Sequence, residues 1–173
     1  KLYPPDINSS DIYFVTDQKG IKYALGAIKN VGIESMKDLV AERNKNGPFI
    51  SFDDFLDRVN SSIANKKTLE ALACAGAFDS LEIKRELIFN QSNEIVKALK
   101  DFKLKSDSNQ GDIFGNDDKF SYKFLKTEEW TENTRLIKEF EIVGFYFSGH
   151  PLSAHKQSLI ENNVRDYVSI HKS

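Results

Sequence analysis

The residues best suited to chemistry in this sequence sit in two short turns. The first is Lys29-Asn30-Val31-Gly32, where one helical pattern gives way to the next. A helix beginning just after Gly32 presents amides that have no partner within the helix. Their partial positive charge suits an anion such as a phosphate, and a glycine there lets the anion come close. Turns of this kind usually read Gly-hydrophobic-Gly. Here Asn30 takes the first glycine position, and asparagine tolerates a left-handed backbone better than most residues. Lys29 adds a cation beside the turn. The second candidate is Gly76-Ala77-Phe78, in which Phe78 occupies the second glycine position and narrows access to the backbone. Lys66, Lys67, Lys84 and Arg85 flank it as potential phosphate contacts; the plainer reading of such charges is a solvated face.

These turns need helices to position them, and the periodicity supplies them. Ile33, Met36, Leu39 and Val40 recur at helical spacing up to a stop at Gly47-Pro48. Ser51 precedes Asp54 by three positions, the start of a capping box, and Phe52, Phe55, Leu56 and Val59 follow on one face. Asn65 caps a helix that carries Leu69, Leu72 and Ala73 and ends at Gly76. Beyond Asp79-Ser80, which stands as the cap of the next helix, Ile88, Ile95, Leu99 and Phe102 share one side. Leu136, Ile137, Phe140 and Val143 mark a later helix, and a last short one covers His155 to Ile160. The only persuasive β element is a hairpin of Ile12–Val15 and Ile21–Ala24 around Asp17-Gln18-Lys19-Gly20. The expected fold is therefore mainly α: a small N-terminal β-hairpin, then a helical domain with tandem helix-hairpin-helix units and a flexible loop.

Composition limits what else the chain can do. A formal net charge of −2 excludes a globally basic nucleic-acid binder, so any such contact must be local, through backbone groups and a few bases. With 3 His and 1 Cys there is no structural zinc set, and Cys74 has no partner for an internal disulfide. No apolar run approaches a membrane span, and no signal-peptide pattern opens the chain, so the expected setting is cytoplasmic. The opening Lys1-Leu2-Tyr3-Pro4-Pro5-Asp6 reads as mid-chain text. Ser148-Gly149-His150 is not flanked by a nucleophile elbow and reads as a turn rather than a hydrolase centre. Trp130 is expected as an anchor where the loop rejoins the domain, and the Phe52/Phe55 pair and Cys74 as core.

Four stretches, taken in order, are similar to the alpha subunit of bacterial DNA polymerase III: Pro4-Pro5-Asp6-Ile7-Asn8, Gly26 to Gly32, Gly76-Ala77-Phe78-Asp79, and Gly144 to Leu152. The resemblance spans nearly the whole chain. It implies the end of the fingers at 1–23, a tandem helix-hairpin-helix DNA-binding region at 24–102, a flexible loop at 103–130, and helices at 131–173 leading to the next domain. It also implies that the catalytic aspartates of the palm, with their Mg2+, lie elsewhere in the parent. No catalytic residue, metal ligand or cofactor is assigned to this chain.

Within the polar stretch Lys103–Lys123, Gln110-Gly111-Asp112-Ile113-Phe114 resembles the short peptide by which polymerase partners bind the sliding clamp. In that motif the glutamine anchors by hydrogen bonding and the last two apolar residues fill a pocket. Burying Ile113 and Phe114 is worth roughly 3–6 kcal/mol before ordering costs. Gly111 stands where leucine is common, at some cost in backbone entropy. The expected partners are duplex DNA, the beta clamp and the rest of the polymerase holoenzyme. Two alternatives stand beside this reading. One is a helix-hairpin-helix module of a repair or recombination protein; the other is a helical protein-binding scaffold that touches no DNA.

Overall fold

Three local signals set the helical frame. Ser51 accepts a hydrogen bond from the Asp54 amide at 3.0 Å and starts α2 (Phe52–Arg58). Asn65 accepts from Thr68 and starts α3 (Lys66–Cys74). Gly32 stands at the start of α1 (Ile33–Asn46), which ends at Gly47. Each cap satisfies or exposes amides that the helix itself cannot use. The computed structural model describes residues 1–108, 119–162 and 164, the side chains of 106–108 and 154 excepted. The remaining described helices are α4 (Arg85–Asn90), α5 (Ser92–Ser108), α6 (Glu132–Val143) and α7 (Lys156–Glu161). Single 3₁₀ turns lie at Leu25–Ala27, Asp79–Leu81 and Pro151–His155.

α3 is the central helix. It packs against α4, α5 and α6, and all its residues from Ala71 to Cys74 are buried. Beside it, Phe49, Phe52, Phe55 and Phe78 form an aromatic cluster with neighbouring ring centroids 5.0–5.9 Å apart. The Phe52/Phe55 pair is thus core, and Cys74 lies buried beside α3's other apolar residues. Burial pushes the Cys74 thiol up to about 11, so it is no nucleophile at neutral pH.

The mainly helical fold is as expected, with three differences of detail. The β element is a three-stranded sheet, β1 (Leu2–Tyr3), β2 (Val15–Asp17) and β3 (Gly20–Lys22), in the order β1-β3-β2. The hairpin β2-β3 forms around Asp17, whose carboxylate accepts from the Lys19 and Gly20 amides, but β1 adds a parallel pairing that no local pattern announces. The helix expected from Asp79-Ser80 is instead a 3₁₀ turn followed by α4 and α5, separated at Gln91. Phe78, not Asp79 or Ser80, takes the cap position, and no side chain caps that turn.

The stretch expected as a flexible loop is ordered at both of its described ends. α5 continues through Lys103, whose ammonium donates to the Val59 carbonyl at 3.2 Å. From Lys119 the chain runs as an extended strap fastened by side chains of the helices. Asp57 accepts from the Phe120 amide, Asp53 from the Tyr122 amide, and Gln91 both accepts from and donates to the Leu125 backbone at 2.9 Å. Gln91 imitates a neighbouring β-strand in this respect, and it is buried. Trp130 closes the strap by an edge contact with Phe89 at 5.4 Å, as an anchor should.

Candidate nucleic-acid interface

Asn30 has φ 70°, the left-handed conformation its place in the turn requires. The residues before it make one 3₁₀ turn, Leu25–Ala27, rather than a full first helix. The hairpin is nonetheless fixed at its base. Gly26 packs against Ile12, where a Cβ would stand 2.7 Å from the Ile12 carbonyl oxygen, and the Lys29 amide donates to the Ile142 carbonyl at 3.1 Å. Val31 turns inward against the core, while Lys29, Asn30 and Gly32 are exposed.

Gly32 carries no side-chain cap for α1, and the nearest atom to a Cβ placed there is the Ser35 hydroxyl at 3.4 Å. Among the described residues no acceptor takes the Ile33, Glu34 and Ser35 amides of α1's first turn. Glu34 lies in that turn, but Lys37 pairs with it at 2.7 Å and offsets its charge. The Ser62 carbonyl accepts from both the Ser35 hydroxyl and the Asn65 side chain, at 3.1 and 2.7 Å. This sets the N-termini of α1 and α3 side by side. Lys66 and Lys67, exposed in the first turn of α3, thereby join the surface of the first hairpin, with Lys66 3.9 Å from Glu70.

The second unit is built differently. α3 ends in a Schellman motif: the Gly76 amide donates to Ala73, and the Ala77 amide to Leu72. Gly76 has φ 75° and is buried. A Cβ there would lie 2.2 Å from the Arg85 guanidinium and 2.9 Å from an Asp79 carboxylate oxygen. Ala77 is fully buried, and its carbonyl accepts from the Ile7 amide at 3.0 Å. The expectation that Gly76, Ala77 and Arg85 meet phosphate is corrected here, because the chain's own groups already cover the turn.

Arg85 points inward. It grips Asp79 with two nitrogens, at 2.9 and 2.5 Å, and Glu139 with a third at 2.8 Å. Glu139 is fully buried and also accepts from the Phe147 and Ser148 amides and the Ser148 hydroxyl. Burial pushes its carboxyl up, but hydrogen bonds from the Ser148 hydroxyl, Arg85 and the Ser148 and Phe147 amides outweigh it and hold the group below the ordinary carboxylate value. Ser148 thus serves as a ligand of Glu139, and no Ser148–His150 hydrogen bond forms among the described residues; His150 instead accepts from the Leu152 amide. Lys84 stays exposed but is paired with Glu129. Gln110, Gly111, Asp112, Ile113 and Phe114 lie outside the described residues.

Glu139 is the residue that the sequence patterns missed. It lies between Leu136 and Val143 on the buried face of α6, and a charge within that apolar stripe was the available signal. The Pro4–Asn8 stretch is likewise structural. Ile7 is fully buried, and Asn8 exchanges two 2.8 Å hydrogen bonds with the Phe49 backbone. Among the described residues no cluster of His, Cys, Asp and Glu is arranged to hold a metal ion. None of the described helices is long and apolar enough to cross a membrane.

One exposed and one occluded turn at the ends of short helices define a helix-hairpin-helix protein. The family model for the helix-hairpin-helix motif matches residues 1–88, which include both turns, and the chain belongs to that family. Over most of its length it corresponds to a segment of bacterial DNA polymerase III alpha subunits. It is 40% identical to that subunit from Caulobacter vibrioides over 86% of this chain, and 37% identical to that from Mycobacterium tuberculosis over 88%. The subunit from Treponema pallidum matches 99% of the chain at 34% identity. The chain spans only 13–15% of the length of these relatives.

Proposed function

We propose that this segment is the duplex-gripping and clamp-tethering region of a replicative DNA polymerase, and that it supports processivity without an active site of its own. The observation that carries the grip is the open α1 N-terminus at Gly32, beside left-handed Asn30 and exposed Lys29. Backbone amides there take a phosphate without reading sequence. Lys66 and Lys67 extend the same surface to a neighbouring phosphate. This arrangement suits a near-neutral chain, because the contact relies on a few oriented dipoles rather than on overall charge.

The tether is assigned to Gln110–Phe114, on the residue types and their place after the helical region. Cytoplasmic placement, Mg2+ at a distant palm and assembly with the holoenzyme follow from the same reading of the parent polypeptide. Two measurements test it. Lys29→Glu should weaken duplex binding, measured by anisotropy, by several-fold at low salt and should flatten the salt slope. Ile113→Ala with Phe114→Ala should abolish capture by the clamp while leaving the melting temperature unchanged. Duplex affinity indifferent to both salt and Lys29 would instead favour the protein-binding scaffold.

A further inference from the structure

The open hairpin lacks a full first helix to fix it. Before Asn30 there is one 3₁₀ turn of three residues, with no side-chain cap. The hairpin's own backbone bonds are long: Ala27 to Ala24 at 3.2 Å, Ile28 to Leu25 at 3.3 Å and Val31 to Ile28 at 3.5 Å. An N–H···O bond beyond about 3.2 Å is weak. The near end of the turn is pinned by the Leu25 and Gly26 amides, which donate to the Asp11 and Ile12 carbonyls at 2.8 and 3.1 Å. The far end, where Lys29 and Asn30 stand, needs another support.

α6 supplies it. The last carbonyls of a helix have no partner within it. Here the Ile142 carbonyl accepts from the Lys29 amide at 3.1 Å, and the next one, Val143, from the Tyr23 hydroxyl at 2.9 Å. The Ala27 carbonyl stands 3.4 Å from the same hydroxyl, as a second and weaker acceptor. Tyr23 thus touches both the hairpin and the end of α6, and it has little freedom to do otherwise. Its buried ring is met edge-on by Phe14, Phe145 and Phe147, at 5.1, 6.3 and 5.8 Å. Its amide donates to the Tyr3 carbonyl at 3.1 Å, and Phe147 is in turn held through its own amide by Glu139. Burial pushes the Tyr23 phenol up, so it stays a donor at neutral pH.

We infer that Tyr23 is a positioning residue of the DNA grip: its hydroxyl locks the end of α6 to the hairpin and holds Asn30 and the Gly32 turn in place before a phosphate arrives. Buried as it is, Tyr23 touches no nucleic acid itself. The inference rests on the reading of this hairpin as a duplex grip. A turn left loose would have to be ordered on binding, and that cost lowers the affinity. One hydrogen bond of this kind is worth roughly a three- to tenfold change in an equilibrium.

Tyr23→Phe in the full-length parent removes only that hydroxyl. Duplex affinity, followed by anisotropy well below the melting temperature, should fall roughly three- to tenfold at every salt concentration. The salt slope should stay as it is, because no phosphate contact is lost. An unchanged affinity, even with a lower melting temperature, makes Tyr23 a stability residue only and overturns the inference. A flattened slope overturns it as well, since the lost contact would then be with phosphate. Should Tyr23→Phe fail to fold, hydrogen exchange of the unsubstituted parent decides. Without DNA the Lys29 amide should exchange at least about tenfold more slowly than in unstructured peptide, and duplex should add little. Protection that comes only with added duplex overturns the inference. Lys29→Glu reads the grip separately: if it leaves affinity and slope untouched, the grip itself fails. If it acts as expected while Tyr23→Phe does nothing, only the positioning role fails.

Discussion

Replacing Glu139 with alanine removes the acceptor that joins α4 and α6 to the Phe147-Ser148 segment. Arg85, only 8% exposed, would keep Asp79 but lose its buried partner at 2.8 Å. Breaking one side of a buried ion pair typically costs 3–5 kcal/mol, because the remaining charge stays desolvated. Arg85 retains Asp79 and the Cys74 carbonyl, which argues for the lower half of that range. The Phe147 and Ser148 amides lose their acceptor too, but they lie at a half-exposed edge and can reach water. The expected cost is therefore about 3 kcal/mol, a fall in melting temperature of about 6–12 °C for a chain of this size. The companion variant joins Glu139→Leu to Arg85→Met. It removes both buried charges together and leaves Asp79, half-exposed, to the solvent. Its melting temperature should lie above that of Glu139→Ala. Thermal denaturation followed by circular dichroism gives both numbers. A Glu139→Ala protein melting within about 2 °C of the parent would refute the idea that this network holds the second hairpin closed.

Three further outcomes follow from the same geometry. Gly76→Ala should destabilise strongly, because φ 75° and the Arg85 guanidinium both oppose a Cβ, yet the folded fraction should bind duplex as well as the parent does; a selective loss of affinity would return Gly76 to the interface. Asp57→Asn keeps an acceptor for the Phe120 amide while removing a carboxylate whose pKa burial raises, so the melting temperature at pH 7 should hold or rise, and a fall would count against the account of the strap. Because the Glu139 carboxyl is held below its ordinary 4.5, its contribution is complete above that pH and is lost as pH falls through the depressed folded value. The stability gap between the parent and Glu139→Gln should thus be flat from pH 7 to 5 and close in more acid solution, as read from urea midpoints.

Much of the scaffold is written locally. Ser51 and Asn65 announce their helices through the amide they satisfy three residues on, and Asn30 announces a left-handed turn that a glycine would otherwise supply. What escapes a reading of the sequence is bonding between distant residues. Arg85 looks like a surface cation among Lys84 and Glu86, and its true partner is 54 residues away on α6. The strap from Phe120 to Leu125 looks like polar loop, because its backbone is satisfied by Asp53, Asp57 and Gln91 rather than by a strand. β1 pairs in parallel with β3 over two residues, too short a stretch to leave a periodic signature. The proposed clamp peptide at Gln110–Phe114 rests on residue types alone.

The two turns of one motif differ in what lies against them, and at the second it is one ion pair of the chain's own. Both join the end of a helix to a tight turn with a left-handed residue, Asn30 in one and Gly76 in the other. At Gly32, among the described residues, only the Ser35 side chain comes within 4 Å of a Cβ position, which leaves the amides open to an external anion on the proposed reading. At Gly76 the Asp79 carboxylate, held by Arg85, already lies against the glycine, and a second anion would meet its repulsion. The internal pair substitutes for the ligand, and the turn becomes a joint between α3, α4 and α6. A rigid joint at one hairpin is useful to the other, because both rest on the same end of α6: Arg85 binds Glu139, and Lys29 hangs from Ile142. Rigidity there holds the open amides in place before a phosphate arrives, and pre-organisation of that kind lowers the ordering cost of binding.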